Sequence, residues 1–310
     1  MLRWDGKKGG KTEILIRITS LCNLRCSFCF ADYNFGNIGA DEVLKSVISK
    51  LHQEGIEGDS DIFVNITGGE PLVRKDFFEI LRNLKRIFKR HTVNLQTNAV
   101  LITEELAENM YKNNIRSAFV GLPAITERTY NKLTGRKGLF GYALRGINYL
   151  IKSGIDVCLN IILTKLSIKE FRRIPDFVSE RFGRDVSVNL STLSPGTPAQ
   201  FLEKFGVDYM EAGKIFQDVY SGLGRAGIRY GSFGGDCSPP ACAFSDKKIY
   251  RIFSFDKSPL PVKYQEDLGL AEEGLRYKSL LCKKCRFDNY CPGVSAVYAR
   301  VYKSRNFNPR

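Results

Sequence analysis

The 310-residue sequence contains no apolar run close to the roughly 18 residues that a membrane-spanning helix needs. Its first residues also lack an apolar segment of signal-peptide length. We therefore expect a cytoplasmic protein that is neither secreted nor inserted into a membrane. The absence of tandem repeats and low-complexity blocks excludes collagen-like and coiled-coil chains. Only two histidines are present, His52 and His91, and we expect both at the surface rather than on a metal.

Acidic residues are outnumbered, since 33 Asp and Glu stand against 47 Lys and Arg, for a formal charge of +14 at pH 7. Basic residues concentrate in the segments Arg74–Arg90 and Arg300–Arg310. Such a charge attracts an acidic partner, and a precursor peptide, a nucleotide and RNA are the open interpretations. A basic surface that only faces water is an equal alternative, and no RNA-binding motif accompanies the charge.

Strand-like and helix-like segments alternate through the first two thirds of the chain, which predicts an α/β fold with a parallel sheet. The predicted strands are Glu13–Thr19, Asp61–Thr67, Thr92–Thr97, Arg116–Gly121, Asp156–Thr164 and Asp185–Ser191. Repeated βα units most often close partly or wholly into a barrel, with ligands at the C-terminal ends of the strands. We predict a partial (β/α)6 TIM-like barrel over residues 1–226.

The alternation stops after a predicted helix at about Val207–Ala226. Residues 227–310 are predicted to form a small cysteine-rich domain with a short strand at Lys248–Phe255. Its local core is small, so a bound metal is a plausible source of stability for it.

Nine cysteines, an odd number in a chain expected in the cytoplasm, favour metal ligation or thiol chemistry over disulfides. Three of them, Cys22, Cys26 and Cys29, lie within eight residues directly after the first predicted strand. Three thiolates on one loop can each bind one iron of a cubane cluster and leave the fourth iron open to a substrate or cofactor. A zinc site completed by a distant ligand is the alternative interpretation.

This CxxxCxxC spacing, with the aromatic Phe28 before the third cysteine, resembles the radical S-adenosylmethionine (radical SAM) superfamily. The resemblance implies a 4Fe-4S cluster on the three cysteines. When reduced by a donor such as flavodoxin or ferredoxin, that cluster cleaves S-adenosylmethionine (SAM) to methionine and a 5'-deoxyadenosyl radical. The radical then abstracts a hydrogen atom from the substrate.

Further segments resemble SAM-binding motifs of that family. The sequence TGGEP at 67–71 is similar to its GGE motif, which implies that Gly68, Gly69 and Glu70 bind the amino group of the methionine moiety. Paired glycines permit close backbone approach, and the acid is an acceptor for a cation. Asn98, at the end of the third strand, and Asn160, on the fifth, resemble other positions that contact the cofactor.

A second group of cysteines follows the predicted barrel. The spacing CxxCx5C at Cys282, Cys285 and Cys291, with Cys237 and Cys242 upstream, resembles the SPASM and twitch domains of radical SAM enzymes. These domains hold auxiliary 4Fe-4S clusters. The full SPASM pattern would place a further cysteine where Ser295 stands, so we expect one auxiliary cluster, as in a twitch domain. A zinc knuckle is the alternative.

The resemblance implies Cys242, Cys282, Cys285 and Cys291 as the auxiliary ligands. Cys237 then has three open roles, as a ligand in place of Cys242, as a structural thiol, or as a hydrogen-atom donor near the substrate. Cys158 lies inside an apolar strand, where we expect a buried core thiol.

The expected function is therefore that of a radical SAM enzyme. A peptide is the leading substrate, with crosslinking, oxidation or epimerisation as the outcome. Dehydrogenation or rearrangement of a small molecule, and modification of RNA, are alternatives. A non-enzymatic iron–sulfur or zinc-binding protein is the most distant one.

Overall fold

A computed structural model describes residues 2–8, 11–29, 39–53, 61–194, 197, 199–231, 237–245, 262–264, 276–289, 291 and 293–302. The strand predicted at Lys248–Phe255 and the basic tail beyond Tyr302 lie outside these residues. In the described part of the chain, no helix combines the length and the apolar character that crossing a membrane requires.

The main sheet follows the order of the chain from β1 to β8. Its strands are β1 Leu2–Lys8, β2 Lys11–Arg17, β3 Ile62–Thr67, β4 His91–Thr97, β5 Ile115–Gly121, β6 Asp156–Ile162, β7 Val186–Ser191 and β8 Arg229–Tyr230. β1 pairs antiparallel with β2, and β2 to β8 form the parallel part. Within the described ranges the sheet does not close, so the predicted α/β partial barrel is confirmed.

Helices connect these strands. They are α1 Ala40–Gln53, α2 Phe77–Ile87, α3 Glu104–Lys112, α4 Glu127–Thr134, α5 Phe140–Lys152, α6 Ile168–Phe171, α7 Ile174–Phe182, α8 Ala199–Phe205, α9 Tyr209–Ala226 and α10 Ala296–Tyr302. α2 is amphipathic, and its Phe77, Ile80, Leu81 and Leu84 are at most 2% exposed. A second sheet holds β9 Val262–Tyr264, β10 Arg276–Lys278 and β11 Val294–Ser295.

The six predicted strands correspond to β2 through β7, with ends displaced by up to two residues. Two strands of the main sheet, and the three short strands of the second sheet, were missed. β1 contains Asp5 and Gly6, which disfavour strands, and it forms an edge with a register shift between Trp4 and Gly6. β8 has only two residues, too few to produce a periodic pattern.

Contacts divide the chain into two compact units. The first comprises Met1–Arg25, Ala31–Leu122 and Gly135–Leu159, and the second comprises Cys26–Phe30, Pro123–Thr134 and Asn160–Arg310. The predicted boundary between residues 226 and 227 stays a prediction. α9 does end there, because Gly227 adopts the left-handed conformation with φ of 70°.

The strands alternate between an apolar face and a polar face. In β3, Ile62, Val64 and Ile66 are at most 1% exposed, and Asn65 and Thr67 lie on the other face. Strands of a parallel sheet are usually apolar on both faces. The polar second face is therefore the feature that separates candidate binding residues from the core.

This alternation corrects two expectations. Cys158 is half-buried on the same face of β6 as Asn160, so its assignment to the core was wrong. His91 is also half-buried rather than at the surface, and its Nδ1 lies 3.1 Å from the carbonyl oxygen of Phe88. The side chain of His52 lies outside the described residues.

A separate apolar cluster forms part of the second unit. Tyr277, Val294 and Tyr298 belong to it and are at most 3% exposed, and Phe28 of the first cysteine motif packs against it. The Tyr298 hydroxyl donates to Asp208 at 2.8 Å. The loop that carries Cys26 and Cys29 is thus supported by residues from the end of the chain.

Two glycines of α5 provide a test of this packing. A Cβ added at Gly146 would lie 2.1 Å from the Ala99 carbonyl oxygen, whereas at Gly141 the nearest atom would be the end of the Arg145 side chain, at 3.7 Å. We expect Gly146→Ala to lower the free energy of unfolding by about 1–3 kcal/mol through overpacking. Gly141→Ala is the matched control and should raise it by up to about 1 kcal/mol. Urea unfolding measures both, and equal effects would contradict the contact.

Candidate functional site

The end of β3 lies against the loop that follows β2. The amide of Gly69 donates to the Thr19 carbonyl and the amide of Glu70 to the Leu21 carbonyl, both at 2.8 Å. A Cβ at Gly68 would lie 2.5 Å from the Thr19 oxygen, and one at Gly69 would lie 2.2 Å from the Leu21 oxygen. The glycines are therefore required by the approach of the chain's own backbone. This contact holds the GGE segment beside the start of the first cysteine loop.

Glu70 is a buried acceptor, with 1% of its surface exposed. Its carboxylate accepts hydrogen bonds from the Asn98 amide at 2.7 Å, from the Thr97 hydroxyl at 2.9 and 3.0 Å, and from the Leu72 amide at 3.2 Å. Burial raises the pKa of Glu70 from 4.5 to about 7, against the opposing effect of these donors. The side chain therefore joins the ends of β3 and β4.

Asn98 connects Glu70 to the first cysteine. Its side-chain Nδ2 donates to Asn23 Oδ1 at 2.7 Å and lies 3.9 Å from the Cys22 sulfur. The Leu24 amide donates to the same sulfur at 3.4 Å. The structure thus brings together Cys22, Glu70 and Asn98, three of the residues singled out from the sequence.

Asn23, which the sequence reasoning missed, carries a donor without a partner. The Val100 amide donates to Asn98 Oδ1 at 3.0 Å, and this fixes Asn98 with its Nδ2 toward Asn23. Asn23 then accepts through Oδ1, and its buried Nδ2 has no hydrogen-bond partner among the described residues. A buried unsatisfied donor costs about 1–3 kcal/mol, so its position beside Cys22 fits a bound group that offers acceptors.

The second half of the cysteine loop belongs to the second unit. The Cys29 amide donates to the Cys26 carbonyl at 3.1 Å and forms a tight turn. The Ser27 amide donates to the Leu133 carbonyl, at the end of α4, at 3.0 Å. Cys22, Cys26 and Cys29 are all half-buried. Their donor chemistry, three soft thiols on one short loop, suits an iron–sulfur cluster.

A row of polar side chains crosses the first four parallel strands. Asn65 donates to Glu13 at 2.6 Å, Asn94 donates to Asn65 at 2.8 Å, and Ser117 donates to Asn94 at 2.9 Å. Asn65 and Asn94 are direct neighbours in the register of β3 and β4. We call Glu13, Asn65, Asn94 and Ser117 the polar row.

Asn160 lies on β6 in the second unit. Its Oδ1 accepts from Asn189 at 2.8 Å and from the Ser191 hydroxyl at 2.9 Å, both of β7. The predicted contact of Asn160 with the cofactor stays a prediction.

Four of the C-terminal cysteines surround one cavity. Cys242, Cys282, Cys285 and Cys291 line about 430 Å³ of empty space, part of which is open to solvent. In the described ranges, no three Cys, His, Asp or Glu side chains converge closely enough to hold a single metal ion. Burial, with a smaller effect of the three neighbouring thiols, raises the pKa of Cys242 to about 12. The thiols are thus distributed around the cavity and still close enough to interact.

A buried ion pair forms another part of the cavity wall. The Lys278 ammonium lies 3.1 Å from the Asp288 carboxylate and also donates to the Asp288 carbonyl oxygen. The two side chains are 7% and 19% exposed. The pair places a buried positive charge at the wall of the cavity, and the carboxylate partly offsets this charge.

Cys237 does not line that cavity. Its carbonyl accepts from the amide and the hydroxyl of Thr192, at 2.7 and 2.8 Å, just beyond β7. The thiol is half-buried. Its possible roles as a ligand in place of Cys242, as a structural thiol or as a hydrogen-atom donor stay predictions.

The family model described as the Radical SAM superfamily matches residues 16–178, more than half of the chain. This chain belongs to the radical SAM superfamily. The predicted family and the assignment as an enzyme are therefore confirmed. Radical SAM enzymes use a 4Fe-4S cluster and SAM, and the cysteine-rich C-terminal region is compatible with an auxiliary cluster.

Curated relatives match about half of this chain. GTP 3',8-cyclase of Staphylococcus epidermidis is 28% identical over 162 residues, which cover 49% of this chain and 46% of that protein. Fe-coproporphyrin III synthase of Methanosarcina barkeri is 31% identical over 176 residues, covering 56% and 42%. The chain thus spans about half the length of these relatives.

Two solved structures share the fold. Streptococcus suis SuiB matches with a TM-score of 0.57 at 20% identity, over 72% of this radical SAM chain and 49% of SuiB. The enzyme anSMEcpe with bound AdoMet matches with a TM-score of 0.57 at 16% identity, over 93% of this chain and 94% of the other. The second likeness extends beyond the barrel into the C-terminal region.

The raised pKa of Glu70 predicts a pH dependence of stability. The folded state binds the proton of Glu70 more tightly than the unfolded chain does. The contribution of this proton to the free energy of unfolding is therefore fully present below pH 4.5 and is lost as pH rises through 7. We expect Glu70→Gln to remove this part of the dependence, on the order of 3 kcal/mol. Urea unfolding below pH 4.5 and above pH 7 measures it. An equal change of the free energy of unfolding with pH in the unsubstituted protein and in Glu70→Gln would assign the pH dependence to other groups.

Proposed function

We propose that this chain is a radical SAM enzyme that modifies a peptide, with two 4Fe-4S clusters. The proposed ligands are Cys22, Cys26 and Cys29 for the first cluster and Cys242, Cys282, Cys285 and Cys291 for the auxiliary one. The proposal includes a cytoplasmic location and a reduced flavodoxin or ferredoxin as the electron donor.

The observation that carries the proposal is the four-cysteine cavity that follows the barrel. The fold likeness to anSMEcpe covers 94% of that protein, which was solved with AdoMet and also with the Cp18Cys peptide. SuiB, the other fold neighbour, was solved with its precursor peptide SuiA. Both likenesses support a barrel with a C-terminal extension that acts on peptides.

When bound, the first cluster and SAM supply a radical that removes a hydrogen atom from an unactivated C–H bond. The chain's own residues bind and orient these groups. Cys22, Cys26 and Cys29 offer three thiolates, and the remaining coordination position is left for SAM. Asn23 donates through Nδ2 to acceptors of the bound groups.

Glu70 supports the position of Asn23 beside Cys22 through Asn98. Its carboxylate holds the Asn98 amide, and Asn98 holds Asn23 beside Cys22. We therefore propose Glu70 and Asn98 as positioning residues, with the backbone at Gly68 and Gly69 as the surface for the methionine moiety. Asn160 is proposed to contact the cofactor from β6.

The polar row supports a substrate with hydrogen-bonding groups along its length. Its members carry side-chain amides, a carboxylate and a hydroxyl, and these groups have hydrogen-bonding positions beyond the bonds that they make to one another. The charge of +14 favours an acidic peptide over a neutral one.

A small-molecule substrate is the second candidate. The curated relative named GTP 3',8-cyclase, at 28% identity over 162 residues, favours it. A nucleotide would also be attracted by the basic charge of this chain.

The test uses anaerobically reconstituted protein with SAM and dithionite, and measures 5'-deoxyadenosine. We expect release above background, stimulated by an acidic model peptide and accompanied by a mass change of that peptide. GTP should cause neither stimulation nor a new product. Stimulation of 5'-deoxyadenosine release by GTP and not by the peptide would indicate that the substrate is a nucleotide.

Iron content separates the two clusters. Cys22→Ala/Cys26→Ala/Cys29→Ala should release no 5'-deoxyadenosine and retain about four irons with a cluster signal in electron paramagnetic resonance. Cys158→Ala is the matched control, because Cys158 lies outside both motifs, and it should retain the iron of the unsubstituted protein. Zinc in place of iron in the triple variant would make the C-terminal site structural.

Asn23 Nδ2 has no hydrogen-bond partner among the described residues, and this predicts that replacing it weakens the binding of SAM. Asn23→Asp keeps the shape and the acceptor toward Asn98 but replaces the donor with a negative charge. We expect binding of SAM to the reconstituted protein to weaken by about tenfold or more, the usual size of a lost hydrogen bond to a charged group. Equilibrium dialysis with labelled SAM measures this, and Asn109→Asp on α3 controls for charge. Equal affinity of both variants would remove Asn23 from the site.

A further inference from the structure

The apolar cluster of the second unit contacts both groups of cysteines. Phe28, which directly precedes Cys29, packs against it, and Tyr277 and Val294 of the cluster also line the four-cysteine cavity. Phe28 and the cluster belong to the same compact unit. We call this set of side chains the shared cluster. Its members are Leu193, Leu202, Phe205, Tyr209, Tyr277, Val294, Ala296, Tyr298 and Ala299.

The shared cluster is tied to the auxiliary cysteines through the backbone. The Gly293 amide donates to the Cys291 sulfur at 3.4 Å. A Cβ added at Gly293 would lie 2.2 Å from the Tyr277 carbonyl oxygen, and Val294 is the partner of Tyr277 in the register of β10 and β11. A displacement of Cys291 therefore reaches Tyr277 through a close backbone contact.

The interior of the shared cluster is closely packed. The rings of Tyr209 and Tyr298 stack with their centres 3.7 Å apart and their planes 5° apart. The Tyr298 hydroxyl accepts from the Tyr209 amide at 2.7 Å and donates to Asp208 at 2.8 Å. Such packing transmits a displacement instead of absorbing it. A change at the cavity wall is therefore felt where Phe28 packs.

Phe28 connects this packing to the first cysteine loop. The Cys29 amide donates to the Cys26 carbonyl at 3.1 Å, so Phe28 lies inside a hydrogen-bonded turn that carries one thiol at each end. Fixing the Phe28 side chain thus fixes the turn and the two thiols.

We propose that the shared cluster couples the two cysteine sites, with Tyr277 and Phe28 as the positioning residues at its two ends. The claim rests on the auxiliary cluster of the proposed function. When the four C-terminal cysteines are ligated, Tyr277 and Val294 are held in place, and Phe28 keeps Cys26 and Cys29 in position for iron. Because a coupling between two sites acts in both directions, iron on the first loop also stabilises the auxiliary site.

The test follows the loss of iron from each site to a chelator in anaerobically reconstituted protein. Alkylation of the freed thiols, mapped by peptide mass, assigns each loss to the segment Cys22–Cys29 or to the segment Cys282–Cys291. We expect Cys242→Ser/Cys282→Ser/Cys285→Ser/Cys291→Ser to shorten the half-time of iron loss from the first loop by about fivefold or more.

Two phenylalanine variants separate coupling from a general loss of packing. Phe201 packs against the same cluster, but it lies on α8, outside both cysteine motifs. In Phe28→Ala protein the four serine substitutions should shorten the half-time by less than about twofold, because the link is already broken. In Phe201→Ala protein, the matched control, they should keep their full effect. Phe28→Leu restores an apolar side chain and should recover most of the effect.

The reverse direction does not need the fourfold variant and decides the question if that variant does not fold. In Cys22→Ala/Cys26→Ala/Cys29→Ala protein, we expect iron loss from the auxiliary cysteines to be about fivefold faster than in the unsubstituted protein. An effect in one direction only, with both variants folded, would indicate damage by the substitutions and would overturn the coupling.

The remaining outcomes are also decisive. Unchanged half-times in both directions would overturn the coupling and leave two independent clusters. A full effect of the four serines in Phe28→Ala protein would show that Phe28 does not carry the coupling, and this would overturn the proposal. Absence of iron from the triple cysteine variant would defeat the auxiliary cluster of the proposed function and the coupling together.

Discussion

The candidate site of the first unit depends on one close backbone contact, between residues 68–70 and residues 19–21. No side chain fits between these segments, because a Cβ at Gly69 would lie 2.2 Å from a carbonyl oxygen. The contact fixes Glu70 next to the loop that begins at residue 19. Its buried carboxylate accepts hydrogen bonds from Leu72, Thr97 and Asn98. Without glycine at both positions the carboxylate would lie elsewhere, and the link from β4 to Cys22 would be lost.

The sheet contributes a second constraint, because one of its faces is apolar and the other is polar. In the first unit, one face carries buried aliphatic side chains of the core and the other carries the polar row. In the second unit, Asn160 of β6 is hydrogen-bonded to polar side chains of β7. Buried amides are stable only when they are hydrogen-bonded, and here they satisfy one another across adjacent strands. This arrangement keeps a polar surface available without leaving polar groups unpaired in the core.

The C-terminal region combines a small apolar core with four cysteines that line one cavity. Burial, with a smaller effect of the neighbouring thiols, raises the pKa of Cys242 to about 12. Lys278 adds a positive charge at the cavity wall, and Asp288 limits its effect. A metal cluster would replace the protons of the thiols and supply the stability that the apolar contacts of this region lack.

The sequence by itself determined the superfamily, the α/β class and six of the parallel strands, because spacing between cysteines and periodicity along strands are local properties. It also singled out Glu70, Asn98 and the C-terminal cysteines. Tertiary structure decided what those residues contact. The burial of Glu70, the unpartnered donor of Asn23 and the Lys278–Asp288 pair depend on residues far apart in the chain, and no local pattern encodes such contacts. Cys158 shows the same limit, since an apolar strand has two faces and only the packing of neighbours decides which one is buried.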